Sequence, residues 1–182
     1  MNEKDIKSTS KFLSLVLRHS PETIDLKLDE NGWANVDELI TQCTKHKKLL
    51  DLDLLNVVVE TNDKKRFAFN ADKSKIRASQ GHSISVELNL KETEPFDYLY
   101  HGTTAASIYS IKEKGLQKMN RQHVHLSKDK ETAIKVGGRR GKPIILTVKA
   151  KMMHDAGFKF YLSENEVWLT DEVPVKYIHF KL

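Results

Sequence analysis

The sequence holds a single cysteine and no long apolar run. Cys43 has no second cysteine to pair with among the 182 residues, which excludes an internal disulfide framework. No stretch reaches the ~18 consecutive apolar residues that a transmembrane helix needs. The polar segment MNEKDIKSTS lacks the apolar centre of a secretory signal. These absences predict a cytoplasmic protein without a membrane partner.

Arginine is scarce as well, with only six among the thirty basic residues. A lysine-rich composition explains that count, but it does not explain why the arginines mostly stand beside glycine, histidine or aromatic residues. The planar guanidinium group suits bidentate phosphate binding. The net charge of +5 also favours a polyanionic partner, in agreement with phosphate binding. The six residues are Arg18, Arg66, Arg77, Arg121, Arg139 and Arg140.

Several catalytic signatures are missing. GGRRGK at 137–142 lacks the spacing of a P-loop, and no GxGxxG, HExxH, CxxC or kinase signature set occurs. The glycines of GGRRGK indicate either a flexible turn or an anion-binding loop, with neither favoured. His123 and His125 form an HxH pair without an evident third ligand, so a structural or substrate-contacting role is favoured over metal.

The first half is predicted to hold three short helices and a hairpin. Apolar i,i+4 spacing predicts a helix over SKFLSLVLRH, capped among Ser8 to Ser10 and ending before Pro21. LKLDENGWANV predicts a short strand, a turn at Asn31-Gly32 and a re-entry, and Asn35 with Glu38 predicts a capping box. A third helix follows a cap at Asp51. KKRFAFN and IRASQGHS form the hairpin, so residues 1–92 read as a winged-helix-like lobe.

The second half has a different pattern. The acidic stretch 91–97 with Pro95 is interpreted as a linker. Beyond it, YLYHGT, HVHLS, PIILTVKA, KFYLS, EVWLT and VKYIHF predict strands. AASIYSIKEKG predicts a helix ending at Gly115, and KDKETAIKVGG predicts one capped by Ser127 or Asp129. The fold class is therefore α+β, with a mainly antiparallel sheet in residues 93–182.

The residue types and their neighbours alone do not decide whether the strongest candidate site residues are functional or structural. Arg18 and His19 at a helix end can simply complement the helix dipole, and this reading is favoured on the pair alone. Arg66 can likewise be an ordinary hairpin residue without a catalytic role. His101 and Thr103 flank Gly102 at a strand end, where an imidazole and a hydroxyl can bind a ribose, but many strands end in this way.

The motifs taken together are more specific. In chain order they are LSLVLRHSP, GWANVDELI, KKRFAFN, IRASQGHS, LYHGT, MNRQHVHLS, VGGRRG and NEVWLTDEVP. This series resembles the RNA 2′-phosphotransferase family, and closely its bacterial KptA-type members. The resemblance implies a winged-helix-like lobe followed by an ADP-ribosyltransferase-like NAD-binding lobe. It also implies transfer of an internal RNA 2′-phosphate to NAD+, which gives 2′-hydroxyl RNA, ADP-ribose 1″,2″-cyclic phosphate and nicotinamide.

The resemblance also implies which residues act. Matching the family motifs residue by residue gives a catalytic set of Arg18, His19, Arg66 and Arg139, with Arg140 in the variable place beside it. The NAD+ contacts it implies are His101, Gly102, Thr103, His125 and Ser127. The RNA contacts are Arg77, Gln80 and His82. The partner is a 2′-phosphorylated, tRNA-like RNA, with no metal and no obligate protein partner expected.

The sequence departs from the family pattern at one place. Glu166 stands where relatives often have glycine in NGVWL, and Val167 holds the position at which many ADP-ribosyltransferases carry a glutamate. Two other functions stay open: an ADP-ribosyltransferase that stops after the first step on nucleic-acid phosphates or protein, and a non-catalytic winged-helix binder of nucleic acid.

Overall fold

The computed structural model describes residues 3–138 and 141–180. The chain divides into two compact units, the first ending at Asn89 and the second beginning at Leu90. Each unit has its own apolar core. Within the described ranges, no helix is both long enough and apolar enough to cross a membrane.

The first unit combines helices with a small antiparallel sheet. Its helices are α1 (Glu3–Arg18), α2 (Val36–Lys45) and α3 (Leu52–Glu60), with a short 3-10 helix at Pro21–Ile24. Its strands are β1 (Ala34–Asn35), β2 (Phe67–Phe69) and β3 (Lys75–Ala78), in the order β1-β3-β2. The predicted hairpin is confirmed, because Phe67 pairs with Ala78 and Phe69 with Ile76.

Local signals account for most of these boundaries. Asn35 accepts from the Glu38 amide at 2.9 Å and Asp51 from the Leu54 amide at 2.8 Å, so both predicted caps are confirmed. The predicted start of α1 was wrong. The helix begins at Glu3, so Ser8 to Ser10 lie inside it rather than capping it. An acidic first turn stabilises this earlier start through the helix dipole.

The turn before β1 is held by one carboxylate. Asp29 accepts hydrogen bonds from the backbone amides of Asn31 (3.1 Å) and Trp33 (2.9 Å), and Gly32 takes φ +77°. The predicted turn at Asn31-Gly32 is thus present. The strand predicted before it is wrong, because residues 26–28 lie outside regular secondary structure.

The second unit is built from short antiparallel strands and three helices in its described part. The helices are α4 (Ala105–Lys114), α5 (Lys130–Gly137) and α6 (Ala150–Asp155). The strands are β4 (Leu99–Thr103), β5 (Leu116–Gln117), β6 (Val124–Leu126), β7 (Ile144–Val148), β8 (Tyr161–Leu162), β9 (Trp168–Thr170), β10 (Glu172–Val173) and β11 (Ile178–Phe180). A 3-10 helix at Val175–Tyr177 precedes β11.

Two three-stranded sheets organise this unit. Their orders are β11-β7-β4 and β6-β9-β8, and all named strand pairs are antiparallel. An isolated bridge between Tyr100 and Ser127 connects β4 to the residue after β6. The α+β class with antiparallel sheets is confirmed. Helix α6 was missed, because PIILTVKA read as one strand whereas β7 ends at Val148.

Helix α5 lies directly against β4 because two glycines leave room. A Cβ on Gly102 would lie 2.0 Å from the Ala133 carbonyl oxygen, and a Cβ on Gly137 would lie 2.8 Å from the Gly102 carbonyl carbon. Asp129 caps α5 by accepting from the Thr132 amide at 2.7 Å, which decides between the two predicted caps. The backbone contact sets where the C-terminal end of α5 lies on the sheet.

Candidate active site

The end of α1 presents Arg18 and His19 from an apolar helix. Leu13, Val16 and Leu17 bury the preceding face, so the last turn is held rigidly by the first core. His19 Nδ1 and the Ser83 hydroxyl lie 2.9 Å apart, and the Ser83 amide donates to the Arg18 carbonyl at 2.9 Å. The segment after β3 is therefore joined to the end of α1 through main chain and side chain together.

Arg66 belongs to the same locus. It precedes β2, and its carbonyl accepts from Arg18 Nη2 at 3.4 Å. The Arg18 guanidinium also lies 6.0 Å from the centre of the buried Phe67 ring. The structure thus brings Arg18, His19 and Arg66 to one end of the first unit, although 48 positions separate Arg18 from Arg66 in sequence.

Arg77 stacks on an indole. Its guanidinium carbon lies 4.4 Å from the Trp33 ring centre, within the range of a cation–π contact. Trp33 follows the Asn31-Gly32 turn, and Arg77 pairs with Ala68 across the hairpin. The contact holds the guanidinium over the indole in a partly buried position. Gln80 lies nearby in sequence, half-buried just beyond β3.

His82 is almost completely enclosed, with 1% of its surface exposed. Neither ring nitrogen has a hydrogen-bond partner among the described residues. Burial lowers the pKa of His82 from its ordinary value to about 4, and the nearby charges of Arg18, His19 and Arg77 lower it further in the same sense. The imidazole is therefore neutral at physiological pH.

The second unit holds its own histidine pair. His101 Nδ1 lies 3.0 Å from the His125 carbonyl oxygen and, because a carbonyl only accepts, the proton is on Nδ1. Arg121 Nη1 donates to His125 Nδ1 at 3.4 Å. Burial lowers the pKa of His101, with the Arg121 charge acting in the same direction and the bond to the His125 carbonyl opposing both. Neutral His101 thus presents Nε2 as an acceptor.

Thr103 and Ser127 complete this second group from neighbouring strands. Thr103 is buried at the end of β4, while the Tyr100 and Ser127 backbones exchange hydrogen bonds of 2.9 and 2.8 Å. Gly102 lies between His101 and Thr103, and the contact with α5 is by itself sufficient to require glycine there. The β4–β6 connection therefore brings His101 to His125 and Tyr100 to Ser127, while Thr103 lies at the end of β4, paired with Ile144.

Arg139 and Arg140 lie outside the described residues, so the structure adds nothing on which of the two acts. Within the described ranges, no group of three or more histidine, cysteine, aspartate or glutamate side chains is placed to hold a metal ion.

Sequence reasoning assigned no role to three residues that the structure places at these groups. Ser83 follows His82 and contacts His19, Trp33 supports Arg77, and Arg121 donates to His125. Arg121 is one of the six scarce arginines, and this scarcity is the sequence feature that could have pointed to it. The roles of Trp33 and Ser83 depend on long-range contacts that periodicity does not report.

The first group is suited to an anion and the second to a neutral polar ligand. Guanidinium groups and a protonatable imidazole beside one another stabilise phosphoryl oxygens. Imidazole and hydroxyl groups on β4 and β6 offer both donors and acceptors for the hydroxyls of a sugar. The chemistry of the donor set therefore fits a ribose-containing ligand in the second unit.

Comparisons with known proteins concern nearly the whole chain. A family model described as RNA 2′-phosphotransferase, Tpt1/KptA family, matches residues 3–172. A probable RNA 2′-phosphotransferase of Flavobacterium johnsoniae is 72% identical over 181 residues, covering 100% of both chains. One of Fusobacterium nucleatum is 55% identical over 179 residues, covering 98% of this chain and 99% of its own. One of Rhodopirellula baltica is 55% identical over 179 residues, covering 98% and 97%.

Proposed function

The chain belongs to the Tpt1/KptA family of RNA 2′-phosphotransferases and is an enzyme of that type, and we propose that it removes an internal RNA 2′-phosphate by transfer to NAD+. The products are 2′-hydroxyl RNA, ADP-ribose 1″,2″-cyclic phosphate and nicotinamide. The observation that carries this proposal is the meeting of Arg18, His19 and Arg66 at one end of the first unit.

In the first step, a 2′-phosphate oxygen attacks the anomeric carbon of the NAD+ ribose. The bond to nicotinamide breaks and takes the electron pair, so nicotinamide leaves neutral. The rate of such a displacement rises mainly when the enzyme holds the nucleophile and the carbon in line. We assign that positioning of the phosphate to Arg18, Arg66 and Arg139.

In the second step, the ribose O2″ hydroxyl attacks the same phosphorus and releases its proton to water. The bond from phosphorus to the RNA 2′-oxygen breaks, and the leaving oxygen takes up a proton. Negative charge develops on the phosphoryl oxygens, which arginine side chains stabilise when they are preorganised. We assign the proton to His19, whose ring is oriented by Ser83 at 2.9 Å.

The second unit supplies the NAD+ contacts in this proposal. Neutral His101 accepts from a ribose hydroxyl through Nε2, and His125 and Ser127 contribute from the β6 side. Gly102 and Thr103 line the strand end between them. The bond from Arg121 to His125 Nδ1 puts the proton of neutral His125 on Nε2, which makes that nitrogen a donor.

The RNA contacts are assigned to the surface around β3. The Arg77 guanidinium lies over the Trp33 ring, and Gln80 follows two residues after β3. His82 belongs to the same segment but is 1% exposed, so its proposed role toward RNA is indirect. We propose a tRNA-like RNA carrying an internal 2′-phosphate as the substrate class, a cytoplasmic location, and a winged-helix-like character for the first unit from its order of helices followed by a hairpin.

One assay tests the reaction. The full chain is mixed with a short RNA carrying one internal 2′-phosphate, NAD+ and a chelator, and all products are separated. Release of ADP-ribose 1″,2″-cyclic phosphate and 2′-hydroxyl RNA supports the proposal. Accumulation of ADP-ribosylated RNA alone would make the enzyme an ADP-ribosyltransferase, and the absence of nicotinamide release would leave only RNA binding.

A further inference from the structure

The anomaly of the first unit is the enclosure of His82. A buried polar group normally has a hydrogen-bond partner, and each exception in a native structure calls for an explanation such as catalysis or an unseen water. His82 is 1% exposed, and neither Nδ1 nor Nε2 has a partner among residues 3–138 and 141–180. A leucine of similar volume would fill the space without that cost. The imidazole therefore carries a hydrogen-bonding capacity that packing against the described residues does not use.

The surroundings of His82 narrow its role. Gly32 lies beside the ring, and a Cβ there would be 3.6 Å from Nε2, so this neighbour offers no side chain to bond. The charged groups that act on the ring are Arg18 at the end of α1, His19 just after it, and Arg77 in β3, and all three can carry positive charge. Among cations, the useful property of a neutral imidazole is its single acceptor nitrogen.

The main chain also ties His82 to Arg18. The amides of Ser83 and Ile84, the next two residues, both donate to the Arg18 carbonyl, at 2.9 and 3.4 Å. Arg18 is the first of the charges that act on the ring. Two main-chain bonds therefore hold the residues that follow His82 against the end of α1, from which the Arg18 side chain extends.

We propose that His82 is a positioning residue for Arg18: its neutral imidazole accepts a hydrogen bond from the Arg18 guanidinium when the RNA 2′-phosphate is bound, and so fixes the direction of the other guanidinium N–H groups. The inference rests on the proposed function for the identity of the phosphate. Protonation at mildly acidic pH would abolish the acceptor, and the depressed pKa of His82 prevents this.

The test compares two variants that differ in the acceptor. His82→Leu keeps the volume and removes the acceptor, whereas His82→Gln keeps an amide oxygen near the position of Nε2. With saturating NAD+ and 2′-phosphorylated RNA, we expect kcat to fall about 10²-fold in His82→Leu, the order of a lost preorganised contact. We expect KM for RNA to change less than about 3-fold, and His82→Gln to recover about 10-fold of the loss.

Thermal unfolding separates positioning from packing. Because the ring has no partner among the described residues, His82→Leu is expected to melt at the wild-type temperature or above it. The matched control is His46→Leu, which removes another histidine of the same unit, one that contacts Asp25 at 3.1 Å on the surface. It should leave kcat and KM unchanged. The proposal would be overturned if His82→Leu kept the wild-type kcat. It would also be overturned if His82→Leu and His82→Gln lost kcat to the same extent and both melted at a lower temperature than the wild type.

Nitrogen-15 spectra of the imidazole give a readout that needs no turnover. Titrating the wild-type protein with the 2′-phosphorylated RNA in the absence of NAD+ should move the unprotonated His82 nitrogen upfield, as accepting a hydrogen bond does. The shift should be lost in Arg18→Ala. A wild type that shows this shift but releases no nicotinamide would refute the proposed function and keep the positioning role. Absence of the shift on RNA binding would refute the positioning role itself.

Discussion

At the scale of single residues, the end of α1 combines two demands. Cations on a last turn complement the helix dipole, which was the plain interpretation of Arg18 and His19. The structure adds that both are tied to segments far along the chain, Arg18 to Arg66 and His19 to Ser83. A dipole effect alone does not require such contacts, so the phosphate-directed interpretation gains from them.

Arg18→Lys tests whether a point charge is enough. Lysine keeps the charge and the dipole effect but cannot present a planar fork to phosphate. We expect a kcat loss of about 10²-fold with stability within about 0.5 kcal/mol of the wild type, measured by single-turnover quenching and by urea unfolding. Lys11→Ala, on the exposed side of the same helix, serves as the control. Full activity in Arg18→Lys would show that the fork is dispensable.

The burial of His82 predicts that the free energy of unfolding falls at acidic pH. Its folded pKa of about 4 lies below its unfolded value, so the unfolded chain takes up the proton first as the pH falls. Stability should therefore be complete above pH ~6.5 and decline towards pH ~4, by up to about 3 kcal/mol from this group. Urea unfolding of wild type and His82→Leu at pH 7 and pH 4.5 should show the variant losing less. Parallel losses would contradict a buried neutral ring.

At the scale of elements, the close approach of α5 to β4 makes a sharp prediction. Gly102→Ala would place a methyl group against the Ala133 main chain, which cannot move aside as a flexible side chain can. We expect a loss of about 3 kcal/mol in the free energy of unfolding. Gly138→Ala is the control, since it has helical φ and nothing nearer than the Pro143 ring at 3.9 Å, and should stay within about 0.5 kcal/mol. Chemical denaturation measures both.

The β8–β9 turn shows why a glycine would suit the position of Glu166. This residue adopts φ +60°, a left-handed conformation that glycine takes without strain. Its 3.0 Å ion pair with Lys128 is exposed, with side chains 71% and 50% accessible, and is worth little. We expect Glu166→Gly to raise the free energy of unfolding by about 0.5–1 kcal/mol. Glu166→Gln should change it negligibly, and a loss of stability in Glu166→Gly would sink this interpretation.

Sequence patterns predicted the elements better than their ends. The caps at Asn35 and Asp51 were correct because each depends on residues three apart in the chain. The start of α1 at Glu3 was missed because its polar first turns carry no apolar periodicity. Helix α6 was missed because its first residues continue the apolar run of β7.

The sequence predicts candidate members of the site, but it does not predict their contacts. Family motifs named Arg18, His19, Arg66 and His82, but nothing local to those motifs indicates that His82 is enclosed or that Ser83 meets His19. Such contacts form between segments more than 60 positions apart. They follow from packing of the whole unit, which no window of the sequence contains.

At the scale of the whole molecule, the described part of the chain forms two cores and carries two groups of polar side chains to which ligands are assigned. The proposed phosphate-binding residues that the structure describes lie before Asn89, and the proposed NAD+ residues lie after Leu90. The two ligands should therefore leave different footprints.

Hydrogen exchange with each ligand alone tests this division. NAD+ should slow amide exchange in β4 and β6, whereas 2′-phosphorylated RNA should slow exchange at the end of α1 and in residues 79–84, since bound ligands suppress local opening. Unphosphorylated RNA of the same sequence is the control for the phosphate. Protection of the β4 and β6 strands by RNA, or of the α1 end by NAD+, would contradict the assignment of sites.

The paired glycines of β4 and α5 carry an evolutionary consequence. A side chain added at Gly102 or at Gly137 meets main chain rather than another side chain, so a compensating change elsewhere cannot make room for it. A lineage that drifts by one substitution at a time has no tolerated intermediate at either position. We therefore expect relatives to have glycine at both positions wherever α5 packs against β4 in this way, and to lose both glycines only where that packing is lost.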